Sequence, residues 1–435
     1  MGPAFALNEV RRRLLQSLLG SGDAGPTVPP TGGGRPPGTH PAEAPVELAV
    51  ITANEINDRH GTGVLLERVL RGRRAVFCIR SRNDYGTQRF GDWQALVPQR
   101  GAARPEWFRR VLAILGRRSV RQALCVPYLP DEAATAIAIQ AAYGARLAVW
   151  IMDDQNVAVE GIPDEMMCEL LRRSSLRLAT HPELRYAYER KYGYKFWLLP
   201  AVVPDNLIAR EQKPEPVPGG RPALVGSFWD QRWFERTLEA LGRSGYQADW
   251  YGNHRSPWLR IEPNRLARAG VIAHGILPEA ELASRLREHP FVIVPAAELE
   301  GGETNAGVAW LSLPGRILFA LATAHTPVLV LGSEKTCAAR FVRHFGVGDV
   351  APYSASAVRT AMERLLEPET QSRCRARAAE LALRFTDAGV GWWLAESIER
   401  GEPVDPRFEQ AFAGYNGARI AEVLPARCFR SRAAS

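Results

Sequence analysis

Cysteine is sparse and scattered. The six in 435 residues (Cys78, Cys125, Cys168, Cys337, Cys374 and Cys428) form no Cys-x-x-Cys pair and have no histidines at ligand spacing. This excludes a zinc module and argues for buried thiols in a reducing cytoplasm rather than a disulfide framework. No apolar run approaches the roughly 18 residues of a membrane span, and no secretory signal pattern opens the chain. No Asp-x-Asp pair points to a bound metal. Neither zinc-finger spacing nor an aromatic RNA-binding strand motif is found, so no nucleic-acid partner is expected. The net charge of +8, mostly arginine, therefore suits smaller anionic partners, phosphorylated donors or lipid head groups.

What is present is a long α/β pattern. A chain of 435 residues exceeds one ordinary core, so two domains are expected. Residues 1–46 read as a flexible arm: a short Arg/Leu helix and then a Gly/Pro/Thr-rich stretch that cannot bury enough apolar surface to order itself. Short apolar strands are predicted at 47–52, 74–79, 123–127, 147–152, 176–180 and 196–199, with helices between most of them. Such an alternation gives a parallel sheet covered on both faces. The Pro-rich run 211–221 reads as a linker. A second series of strands follows at 222–226, 248–252, 270–274, 291–295, 327–331 and 350–352, with helices at 232–243, 279–288, 314–324, 337–345, 355–366 and 370–385. The second domain is thus expected over 222–386, after a first over 47–210. A helix crossing back to the first domain at 387–402 and a tail at 403–435 complete the reading. The adjacent Trp392 and Trp393 are expected to pack between domains.

Within the second block, the buried strand from Phe291 to Pro295 runs into an acidic, glycine-containing loop. Pro314 and Arg316 then open a helix, and a further buried strand follows. A strand, a polar loop and a helix N-terminus form the place where open α/β sheets bind anions. Leu224-Val225-Gly226-Ser227, Val271-Ile272-Ala273-His274-Gly275, Ser312-Leu313-Pro314-Gly315-Arg316 and His325-Thr326-Pro327 occur in that order and at suitable spacing. Together they resemble the nucleotide-sugar half of retaining GT-B glycosyltransferases similar to glycosyltransferase family 4. The match covers about Leu224 to Phe385 well and the first half more loosely. The resemblance implies two facing Rossmann-like domains with an interdomain cleft. It also implies a nucleoside-diphosphate sugar as co-substrate, no other cofactor, no metal, and a hydroxyl-bearing acceptor.

The candidate residues follow from the chemistry of that transfer. The departing diphosphate needs cations and backbone N–H donors. Ser227, Arg232, His274, Ser312 and Arg316 are the candidates, with Arg316 standing where the resemblance implies lysine. Gly61 and Gly63, in Asn57-Asp58-Arg59-His60-Gly61-Thr62-Gly63, allow backbone to approach a phosphate or acceptor; His60 lies beside them. Met152-Asp153-Asp154-Gln155-Asn156 ends a strand, and its side chains suit a hydroxyl-rich acceptor. Asp153, His181 and Glu303 make the candidate catalytic set, with Glu298 and Glu300 as weaker acidic neighbours. One departure is plain: where relatives carry two glutamates eight positions apart, the second holding the nucleotide ribose, this chain has Leu311 and Phe319. The segment Trp107–Arg118 reads as a basic amphipathic helix, suited either to core packing or to peripheral contact with an anionic membrane.

Overall fold

The computed structural model describes residues 44–98, 101–210, 217–228, 231–254, 259–299, 306–424 and 426–429. Residues 1–43 of the expected arm, 211–216 of the expected linker, Glu300 and Glu303 lie outside the described residues, and Val46, expected in the arm, opens the first strand.

Two parallel sheets organise the chain. The first has seven strands: β1 Val46–Thr52, β2 Val76–Arg80, β3 Trp93–Leu96, β4 Val120–Cys125, β5 Arg146–Ile151, β6 Leu176–Ala179 and β7 Trp197–Leu198. Their spatial order is β3-β2-β1-β4-β5-β6-β7. The second has six: β8 Ala223–Val225, β9 Ala248–Tyr251, β10 Val271–Gly275, β11 Val292–Pro295, β12 Val328–Leu331 and β13 Gly348–Ala351, in the order β10-β9-β8-β11-β12-β13. Every neighbouring pair is parallel. The inner strands are buried on both sides, β5 but for its first residue and β11 and β12 throughout, as layers of helix on each face require.

The twelve expected strands match observed ones to within a few residues. The thirteenth, β3, carries no β-branched residue; Trp93 holds this edge strand by stacking on Phe77 at 6.2 Å and by the Arg118 guanidinium 5.6 Å from its ring. Helix Gln231–Ser244 places Trp233, Phe234, Thr237, Leu238, Ala240, Leu241 and Ser244 inside, one stripe at helical period. Phe234 and Phe228 pack on fully buried Trp250 of β9.

The chain divides into two units. One runs to Leu199 and takes back Gly389–Pro406; the other comprises Pro200–Ala388 and Arg407–Leu424. The passage between them thus falls at residue 200, ahead of the linker expected at 211–221. Val217 pairs with Gln371 through both its N–H (3.0 Å) and its carbonyl (3.1 Å). Helix Val390–Arg400 belongs to the first unit, where Gln122 Nε2 donates to the Ala395 carbonyl at 3.0 Å. Trp393 is buried in that unit and donates to the Asp405 carbonyl, whereas Trp392 is 60% exposed. The stretch expected as a tail is folded over Arg407–Leu424: Phe412 packs on Phe385 at 5.5 Å, and Tyr415 lies among Phe341, His344 and Phe345.

Candidate functional site

In each sheet the strand order reverses once, between β1 and β4 in the first and between β8 and β11 in the second. Loops leaving the carboxyl ends of strands diverge at such a point and leave a crevice for ligands. The candidate residues are accordingly taken unit by unit.

In the second unit, β8 ends at Val225 and the chain turns through Gly226 at φ +100. A Cβ on Gly226 would lie 1.9 Å from Arg316 Nη1, so glycine is required by both conformation and space. Arg316 is the second residue of helix Gly315–Ala324. Its Nη1 donates to the Ser227 carbonyl at 3.2 Å, and its Nε is buried with no partner among the described residues. Burial pushes the guanidinium down to about 10, slightly opposed by Tyr353. Arg316 therefore remains a cation at neutral pH, at the switch point, with no carboxylate partner among the described residues. Tyr353 completes the surroundings, accepting from Trp233 Nε1 (2.6 Å) and donating to the Ala296 carbonyl (2.8 Å). Ser227 and Arg316 thus come together. Arg232 lies exposed in the first turn of helix Gln231–Ser244, and Ser312 is buried. Glu298 is held by Arg236 at 2.6 Å.

His274 is a correction. It sits at the end of edge strand β10, where the register with β9 shifts between Ala273 and Gly275. Its Nε2 meets Asp249 at 2.8 Å and its ring stacks on Tyr251 at 4.9 Å. Side chains alternate across a strand, so Asp249 and Tyr251 face away from Trp250, whose indole donates to the Gly226 carbonyl at 2.9 Å. His274 therefore belongs to a polar cluster on the other face of the sheet, not to the Ser227–Arg316 group. Phe319 and Leu311 are core residues, 5% and 0% exposed.

In the first unit, β1 runs into the loop 53–60 and then helix Gly61–Leu70. Asn57, fully buried, ties this loop to the one after β2 by donating to the carbonyls of Tyr85 (3.2 Å) and Thr87 (3.1 Å). His60 stacks on Tyr85 at 4.3 Å, and its Nε2 lies 2.6 Å from the Glu55 carbonyl. Burial lowers its pKa, which favours the neutral ring. A Cβ on Gly63 would stand 2.6 Å from the Asn57 carbonyl, so Gly63 closes the turn by packing. Gly61 has nothing within 4 Å of such a position and is the open member of the pair.

Tyr128, after β4, links this loop to the next: its hydroxyl lies 2.7 Å from Thr62 Oγ1 and donates to Asp153 Oδ2 at 2.9 Å. Burial, with Asp153 beside it, raises the phenol well above its ordinary value. Glu132 lies beneath. Its Oε2 accepts from the amides of Leu129 (2.6 Å) and Tyr128 (3.2 Å), and its Oε1 accepts from Ser81 Oγ. Desolvation outweighs these three donors and lifts the carboxyl to about 7. Thr62, Tyr128 and Asp153 therefore form one hydroxyl-and-carboxylate cluster at the carboxyl edge of the sheet. Tyr128 and Glu132 escaped the sequence reading; the only available signal was a polar pair just after the apolar run of β4.

Two further expectations need correcting. Asp154 is 0% exposed, and its carboxylate accepts from the amides of Asn156, Val157 and Ala158 at 2.6–2.9 Å. It shapes the loop and, being fully buried, offers no oxygen to an acceptor. His181 is also 0% exposed and caps helix Pro182–Tyr192, its Nδ1 accepting from Leu184 N. A buried cap is not poised for catalysis. Gln155 is half-buried, its side chain against Gly161. The arginines of helix Arg104–Leu115 are committed as well: Arg104 to Glu169, and Arg109 and Arg110 to Glu106. This favours the packing reading of that helix over a free basic face.

No protein-family model and no curated protein matches the chain. Solved structures do match. WaaG, a glycosyltransferase involved in lipopolysaccharide biosynthesis, aligns with a TM-score of 0.53 at 13% identity, over 81% of this chain and 99% of that one. Anabaena HepE, determined with UDP and glucose, aligns with a TM-score of 0.54 at 12% identity, over 82% and 100%. A UDP-N-acetylglucosamine 2-epimerase aligns at 0.50 and 10%, over 82% and 95%. Likeness at such identities is likeness of fold: the chain has the two-sheet α/β architecture of GT-B proteins. Among the described residues no helix is long and apolar enough to cross a membrane.

Proposed function

We propose that this protein is a retaining glycosyltransferase, similar to family 4, that moves a sugar from a nucleoside-diphosphate donor to an acceptor hydroxyl. The observation that carries the reading is Arg316, a half-buried cation with its Nε shielded from solvent and no carboxylate partner among the described residues, at the switch point of the second sheet. A charge drawn partly out of water without a counterion is costly, and a diphosphate supplies one with two-pronged geometry. The solved structures of similar fold support the reading, since one holds UDP and glucose. The donor's diphosphate is assigned to Arg316 and the amides near Ser227, with Arg232 at the rim. The acceptor hydroxyl is assigned to Asp153 with Tyr128 and Thr62. In the reaction the bond from the anomeric carbon to the diphosphate oxygen breaks and a bond to the acceptor oxygen forms. The acceptor's proton passes to the departing phosphate, and Arg316 stabilises the charge that develops there. No metal or further cofactor has a part in this scheme.

A second reading, a binding subunit without turnover, is favoured by Phe319 and Leu311, which leave the nucleotide ribose without its glutamate. One experiment addresses both. Thermal unfolding with nucleoside diphosphates at 100 times Kd should show about 2.7 kcal/mol of stabilisation, and Arg316→Ala should abolish it while leaving the unliganded midpoint nearly unchanged. Release of free nucleoside diphosphate from its sugar then separates turnover from binding. No stabilisation by any nucleoside diphosphate would sink the donor assignment.

A further inference from the structure

A cavity of about 320 Å³ opens in the first unit between helices Arg104–Leu115, Pro130–Tyr143 and Asp164–Arg173. Its wall is apolar: Trp107, Leu129, Pro130, Ala134 and Met166, with Asp131 as the one ionisable residue. The volume falls in the range of small-molecule sites, which are apolar hollows with a few fixed polar groups. The polar group at its edge is Asp131, while the indole N–H of Trp107 is shielded from solvent, so the ring lines the hollow as an apolar surface.

The position of the cavity matters as much as its lining. Leu129 is part of the wall and donates its N–H to Glu132. The preceding residue is Tyr128, whose hydroxyl joins Thr62 to Asp153. The apolar hollow therefore begins one residue from the polar cluster, on the loop that leaves β4. A molecule with a hydroxyl at Asp153 and an apolar tail would satisfy both surfaces.

We propose that this cavity receives the alkyl or aryl tail of an amphiphilic acceptor, the tail lying against Trp107, Ala134 and Met166. The assignment rests on the proposed transferase reading only in calling the ligand an acceptor; the cavity's preference for an apolar tail stands apart from it.

Calorimetric titration of the full chain with n-octyl β-D-glucoside, below its micellar concentration, and with methyl β-D-glucoside tests this. The octyl compound should bind at least tenfold more tightly. Ala134→Phe and Met166→Trp, which fill the hollow from two different helices, should each remove that difference and leave the thermal shift with UDP unchanged. Equal affinity for the two glucosides in the wild-type protein overturns the proposal without recourse to any variant. So does a preference for the octyl chain that persists in a filled variant retaining the wild-type melting midpoint. Loss of the UDP shift alone would instead count against the nucleotide-sugar reading and leave the cavity's assignment standing.

Discussion

At the scale of single residues, the first unit's most unusual group is Glu132. Its carboxyl is lifted from 4.5 to about 7 by desolvation, despite donors from Ser81, Tyr128 and Leu129. The folded protein therefore holds a proton there that the unfolded chain has released, and between about pH 4.5 and 7 stability from this group falls as pH rises. Glu132→Gln keeps an oxygen to accept the two amides, turns an NH2 donor toward Ser81 Oγ, and cannot ionise. Urea titrations across that window should show the wild type losing stability toward pH 7 more steeply than the variant. Identical slopes for the two proteins would mean that Glu132 titrates normally. Ionisation of Glu132 would also bear on the proposed acceptor cluster, because its two amide partners belong to the turn that carries Tyr128.

At the scale of elements, the sheet explains what the sequence disclosed and what it withheld. Runs such as Phe291–Pro295 and Pro327–Leu331 are legible because a strand buried on both faces must be apolar along its whole length. Edge strand β3 is not, because Trp93-Gln94-Ala95-Leu96 is half-buried and owes its place to Phe77 and Arg118. Arg316 and Ser227 were visible because glycine, proline and a helix start mark the β8 and β11 exits locally. Tyr128 was not: its partners Thr62 and Asp153 are 66 and 25 residues away and meet it only once β1, β4 and β5 lie side by side. His274 was misplaced because the β10 irregularity decides which face it takes.

The same scale contains a buried arginine that anchors rather than binds. Arg375, on helix Pro368–Ala382, is 1% exposed and donates to the carbonyls of His289 (2.9 Å), Pro290 (3.4 Å) and Ala324 (3.5 Å). These carbonyls sit just before β11 and β12, so one guanidinium fixes the entry to both strands. Hydrogen bonds to a charged donor contribute about 1.5–3 kcal/mol each. Arg375→Met retains the apolar stem and leaves the carbonyls unpaired, and should lower unfolding free energy by about 2–3 kcal/mol. Denaturant titration measures it, and a loss under about 0.5 kcal/mol would show that the carbonyls find other partners.

At the scale of the whole molecule, none of the six cysteines forms a disulfide; Cys78, Cys125, Cys337 and Cys374 are buried, and Cys168 and Cys428 are partly exposed. Burial raises the Cys78 thiol to about 12 and also raises Cys125 and Cys374; a buried thiol is inert because the thiolate is the reactive form. Reducing agent should leave the melting midpoint unchanged. A chromogenic disulfide reagent should react promptly with at most Cys168 and Cys428 in the native protein and with all six after denaturation. Prompt native reaction of a third thiol would point to a local opening of one of the cores.

Helix Val390–Arg400 gives the chain an order of assembly. The first sheet's strands end at Leu198, yet the helix that receives hydrogen bonds from Arg73 and Gln122 is made only after some 190 further residues, from Leu199 to Gly389. At a synthesis rate of about 10 residues per second, the nascent first unit waits roughly 20 s with that surface uncovered. The ribosome thus releases the second unit's sequence before the first can close. The apolar ridge of Val390, Trp393, Leu394 and Ile398 is set in place only then, and until that moment its seat on the first unit stays bare.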